Sequence, residues 1–82
     1  MTTSEIVRAA STIAREYGAQ ARVTQPPDYD GLLVTMWIND EVTGARVLQL
    51  GIGNNPSERF LDSECRAMGQ TLKTHKGPIK LP

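Results

Sequence analysis

Cysteine is nearly absent from these 82 residues: Cys65 stands alone, which excludes an intrachain disulfide and any multi-cysteine zinc site. Histidine also occurs once, as His75, so no His/Cys cluster offers itself as a metal site. Lysine is missing until Lys73, and all three lysines fall in the last ten positions. Nine basic residues balance nine acidic ones, so no global field draws nucleic acid or an anionic membrane. No run approaches the roughly 20 apolar residues of a membrane span, and no basic-then-apolar leader opens the chain. The one near-sequon, Asn55-Pro56-Ser57, carries the proline that blocks glycosylation. A reducing cytoplasm is the expected compartment. Aromatic residues are few, one Trp, one Phe and two Tyr, so the position of Trp37 carries weight.

What is present is a clear alternation between Gly31 and Gly53. Leu32, Val34, Met36 and Ile38 alternate with Leu33, Thr35 and Trp37; after a polar turn at Asp40–Gly44, Leu48, Leu50 and Ile52 alternate with Val47, Gln49 and Gly51. Period 2 over this length predicts two strands of a hairpin. Matching the apolar rows sets Met36 opposite Leu48, Val34 opposite Leu50 and Leu32 opposite Ile52, because a one-residue slip would send the row to the wrong face. Leu33, Trp37 and Val47 are then left together on the other face.

Helices flank the hairpin. Thr2-Thr3-Ser4-Glu5 has capping-box spacing, and Ile6, Ala10, Ile13 and Tyr17 recur at helical intervals with Val7 and Ala14 widening the stripe. Gly18 is placed to end this helix in a left-handed cap. Gln20–Gln25 reads as a short strand stopped by Pro26-Pro27, and Asp28-Tyr29-Asp30-Gly31 as a turn. Asn55 as N-cap, Pro56 at N1 and Glu58 at N3 predict a last helix that carries Leu61, Cys65, Met68 and Leu72 on one row, with Phe60 beside them. Gly69 weakens it by roughly 1 kcal/mol relative to Ala.

The expected fold is α+β. A two-layer α-β-β-β-α domain over residues 1–73 sets a three-stranded antiparallel sheet with both helices on one face, and residues 74–82 form an extended tail. Its core is expected from Ile6, Ala10, Ile13, Tyr17, Leu32, Val34, Met36, Ile38, Leu48, Leu50, Leu61, Cys65, Met68 and Leu72.

No catalytic constellation accompanies this pattern. The carboxylate pairs Asp28/Asp30 and Asp40/Glu41 lie in turns, where Asp serves the backbone locally. Cys65 falls in an apolar helical row, the setting of a small buried hydrophobe rather than a nucleophile. Gly51-Ile52-Gly53 invites a phosphate-loop reading, but Pro56 takes the third glycine's place and no parallel βαβ unit surrounds it. The glycines are expected to serve a tight strand-to-helix transition.

The order helix, strand, Pro-containing loop, hairpin, Gly51-Ile52-Gly53, helix resembles the double-stranded-RNA-binding domain from Ser4 to Leu72. That resemblance implies backbone contacts to duplex RNA, with Arg8, Arg15, Arg59, Lys73 and Lys76 as the candidate contacts. Where the family places a lysine cluster this chain reads Ser57-Glu58-Arg59-Phe60, and the histidine usual in the family's first loop is absent.

The apolar face opposite the helices is the stronger lead. Leu33, Thr35, Trp37, Val47 and Gln49 are expected to form a protein interface, since a Trp-centred patch marks binding surfaces. The alternative is that the tail covers it through Ile79 and Leu81, or that a helix packs there instead. The reading is a small, non-catalytic cytoplasmic protein without cofactor or metal. It binds and occludes another macromolecule, as accessory or inhibitor proteins of viruses and mobile elements do. Its partner is a protein or a second copy of itself, and a degenerate RNA-binding module is the competing function.

Overall fold

A computed structural model describes residues 1–40 and 44–74, with Asp40 and Gly44 described through their backbone. The expected turn residues Glu41, Val42 and Thr43, and the tail from His75 including Lys76, Ile79 and Leu81, lie outside the described residues.

Helix α1 (Thr3–Glu16) starts at the anticipated box. The Glu5 amide donates to Thr2 Oγ1 at 3.2 Å while the Thr2 amide donates to Glu5 Oε1 at 2.8 Å, so two donors the helix leaves unpaired are satisfied reciprocally. The Thr2 bonds, backbone first, hold the Glu5 carboxyl below its ordinary value. Since the folded-state pKa lies below the unfolded one, the cap contributes stability above the usual Glu range and loses it as pH falls through the folded value. Acidification should therefore fray the first turn of α1, followed by the Thr2 and Glu5 amide resonances, and Glu5→Gln should remove that pH dependence.

The other end of α1 closes as a Schellman motif. Gly18 sits at φ +72°, its N–H donating to Arg15 O at 3.1 Å, and Ala19 N–H donates to Ala14 O at 2.8 Å. The buried Ala14 and Ala19 supply the apolar pair that accompanies this cap. Val7, expected to widen the stripe, is instead 39% exposed; one residue off the Ile6–Ala10–Ile13 row, it turns past the edge of the sheet-facing surface.

Strands β1 (Gln20–Thr24), β2 (Leu32–Asp40) and β3 (Gly44–Gly53) form an antiparallel sheet in the order β1-β2-β3. β1 stops one residue short of the expected Gln25. Met36 faces Leu48 and Val34 faces Leu50 as the alternation requires. The third pair differs: Leu32 lies opposite Gly53, Leu33 opposite Gly51, and Ile52 is the extra residue of a bulge. Gly53 adopts φ +73°, so the chain leaves the ladder there in a conformation open to glycine and costly for a β-branched residue. Gly51 has a different role from the expected transition hinge. Tyr29 lies against it, and a Cβ at this position would overlap the phenol ring.

Helix α2 (Glu58–Thr74) begins later than expected. Ser57, not Asn55, is the N-cap: its Oγ accepts from the Phe60 amide at 3.1 Å and its carbonyl from the Leu61 amide at 3.0 Å. Pro56 therefore falls one residue before the cap, where it is buried, and Leu61 falls at the fourth helical position, also buried, the spacing of a hydrophobic staple. Phe60 points outward, 42% exposed.

Both helices cover one side of the sheet. Ile6, Val34, Met36, Leu61, Cys65 and Leu72 are the largest fully buried side chains there. Tyr17, Ile38, Leu48 and Leu50, expected in the core, are only partly buried at its margin. Burial raises the Cys65 thiol to about 11, with the Asp62 and Glu64 charges adding to the effect, so it stays protonated. The helices meet where the Tyr17 ring lies on Gly69. On the outside of this seam the Arg66 guanidinium donates to Glu16 at 2.6 Å and to Asp62 at 3.1 Å.

Arg46 is a core residue that sequence reasoning missed. It points inward from β3, 8% exposed, and its Nη1 donates to the Leu72 carbonyl at 2.6 Å. Leu72 lies in the last turn of α2, where carbonyls lack intrahelical partners and the helix dipole is negative. A cation there is favoured on both counts, and the bond ties the end of α2 to the sheet.

Candidate functional site

The outer face of the sheet is built by alternation alone. Because β2 sends Val34 and Met36 inward, Leu33, Thr35 and Trp37 point outward, and antiparallel pairing places Val47 beside Trp37 and Gln49 beside Thr35. All five residues picked out thus share this face, but only Thr35, Trp37, Val47 and Gln49 line one hollow; Leu33, opposite Thr24 and Gly51, lies outside it. Gln49 Nε2 donates to Thr35 Oγ1 at 3.2 Å, fixing both side chains across the strands.

Pairing with β1 adds residues that the hairpin pattern did not supply. Trp37 lies opposite Gln20 and Thr35 opposite Arg22. The Arg22 guanidinium sits 5.8 Å from the centroid of the Trp37 ring, within cation–π range. Arg22, Thr24, Thr35, Trp37, Val47 and Gln49 line a shallow hollow of about 370 Å³. Trp37 is half-buried rather than fully projecting, because Arg22 stands over one side of it and Val47 is its cross-strand neighbour. The signal for Arg22 was its place between Ala21 and Val23, which puts it on the opposite face from them. Its neighbour could not be assigned without the β1–β2 register.

The electrostatics of this face are simple. Among the described residues that point outward from the three strands, Arg22 is the one charge, and no carboxylate accompanies it. The floor offers hydroxyl and amide groups around an indole, a mixture suited to seating a side chain of another molecule.

No family model, curated protein or solved structure matches this chain.

The cationic residues suggested by the RNA-binding resemblance do not converge. Arg8 and Arg15 are exposed on α1, two turns apart. Arg59 lies in the first turn of α2 and Lys73 in its last, separated by 14 residues or about 21 Å of helix. Lys76 lies outside the described residues. The loop between β1 and β2 borders a hollow of about 490 Å³ lined by Gln25–Asp30, which carries Asp28 and Asp30 and no base. Such a loop repels a phosphate backbone.

Among the described residues, no group of three or more His, Cys, Asp or Glu side chains is placed to hold a metal ion. No described helix is long and apolar enough to cross a membrane.

Proposed function

We propose that this chain is a small non-catalytic binding protein whose outer sheet face seats a protein partner and occludes the surface it covers. The observation that supports this reading is the Trp37 hollow: a single indole, pinned by Arg22 and Val47, at the centre of a sheet face that neither helix covers. Trp and Arg are the residue types that dominate protein-binding hot spots, and they do so from central, partly enclosed positions. One cation without an acid favours a partner that presents a carboxylate to Arg22 beside an apolar side chain for Trp37. By occupying that surface, the protein acts as an accessory or inhibitor.

The competing reading is a degenerate duplex-RNA binder, favoured by the α-β-β-β-α order and the exposed Arg8 and Arg15. Divided cations, an acidic β1–β2 loop and zero net charge weigh against it.

Two measurements separate the readings. Immobilised protein should capture a host protein that is lost with both Trp37→Ala and Arg22→Glu, and retained with Arg15→Ala. Labelled duplex RNA should bind no tighter than about 10⁻⁶ M at physiological salt, the range of non-specific association. Nanomolar RNA binding that falls with Arg8→Ala and Arg15→Ala would replace the protein-binding reading.

A further inference from the structure

We propose that a second copy of this chain pairs antiparallel with the free edge of β3, joining two sheets into one of six strands. The inference does not rest on the Trp37 face; it starts from the unequal treatment of the two sheet edges.

β1 forms one edge and is protected. It is five residues long, α1 packs against it, and Pro26-Pro27 lies two residues past its end. β3 forms the other edge and spans ten residues. Among the described residues no strand lies on its far side. Sheet proteins blunt such edges with charge, proline or brevity. β3 has no proline, lysine or acid, and its one charge, Arg46, turns inward to the Leu72 carbonyl. The bulge at Ile52 lies near the strand's end and leaves most of the edge regular.

A second observation comes from the core side of the same strand. Leu48 and Leu50 point toward the helices, yet remain only partly buried. They form an apolar shoulder beside an open backbone ladder. A strand added to β3 satisfies the ladder and covers the shoulder together.

Self-pairing fits this edge without adjustment. A two-fold axis normal to the sheet keeps each residue on its own face, so it must pass through a residue rather than between two. Positions 48 and 49 are nearest the middle of β3 and give the longest pairing. An axis at 48 would set Arg46 opposite Leu50. An axis at Gln49 sets Leu48 opposite the second copy's Leu50 on the helix side, and Val47 opposite its Gly51 on the outer side. The second register matches Leu48 with Leu50 beside its centre and moves Arg46 one residue further out, opposite Ile52 at the bulge. Net charge zero means that two copies do not repel. The contact is one strand wide, at the low end of interface size, so association should be reversible and depend on concentration.

Light scattering coupled to gel filtration, and amide exchange by NMR, test this on the full unmodified chain. The molar mass should rise from 9.0 kDa toward twice that value with concentration. Over the same range, alternate β3 amides around Gln49 should slow markedly while those of β1 do not change. Leu50→Lys should return the protein to a monomer with its β2 amides still protected, and Trp37→Ala should leave the dimer intact. A mass that stays at 9.0 kDa throughout would overturn the proposal. So would a dimer whose β3 amides exchange at the monomer's rate, and such a dimer abolished by Trp37→Ala would instead place self-association on the outer face.

Discussion

Met36→Ala is expected to destabilise the protein by about 2–5 kcal/mol, the range for truncating a large side chain in a closed core. Met36 is fully buried between the sheet and the helices, one of the largest side chains of the core. Trp37→Ala, one residue along the same strand, should cost only about 1–2 kcal/mol, because Trp37 is partly buried on the outer face beside Arg22 and Val47 rather than in the core. Its effect belongs to binding: losing a central indole should lower partner affinity by 2 kcal/mol or more. Urea unfolding of both variants, with partner capture measured alongside, makes the comparison. Equal losses of stability would place Trp37 in the core and remove the proposed binding face.

Gly69→Ala should also destabilise, by about 1–2 kcal/mol, against the ordinary rule for a helix interior. In an open helix this change gains roughly 1 kcal/mol. Here a Cβ would fall on the Tyr17 ring, 2.7 Å from Cγ at the root of the ring, so the ring or the helix carrying it must shift. Overpacking of this kind costs about 1–3 kcal/mol, more than the propensity returns. The control is a double-mutant cycle. With Tyr17→Leu in place the obstacle is gone, and Gly69→Ala should become stabilising, as thermal unfolding of the four proteins would show.

These two cases mark where the sequence was legible. Strand alternation separated Met36 from Trp37 because side chains on a strand change face at every residue, a property of the backbone that needs no tertiary information. The same logic gathered Leu33, Thr35, Trp37, Val47 and Gln49 on one surface. Gly69, by contrast, looked like a weakness in a helix. Its purpose lies 52 positions earlier in the chain, at Tyr17, and no local pattern encodes that meeting.

Position along an element was harder to read than the element itself. Asn55-Pro56 carries a strong helix-start signal, yet Ser57 holds the cap because the bulge at Ile52 and the turn at Gly53 set where the chain re-enters the core, burying Pro56. The bulge also shifted Leu32 from Ile52 to Gly53. Alternation counts residues evenly and has no means of registering one that the ladder leaves out.

By itself, the sequence determined the α-β-β-β-α order, the faces of β2 and β3, the α1 cap and the identity of most core residues. Each of these follows from periodicity or from a side chain bonding its own local backbone, interactions that span a few residues. Tertiary structure alone decided that Arg22 would stand over Trp37, that Arg46 would be buried against the end of α2, and that Leu48 and Leu50 would be only partly buried on the edge strand β3. Those outcomes depend on which elements become neighbours and how far each helix reaches across the sheet, distances set only when the whole chain packs.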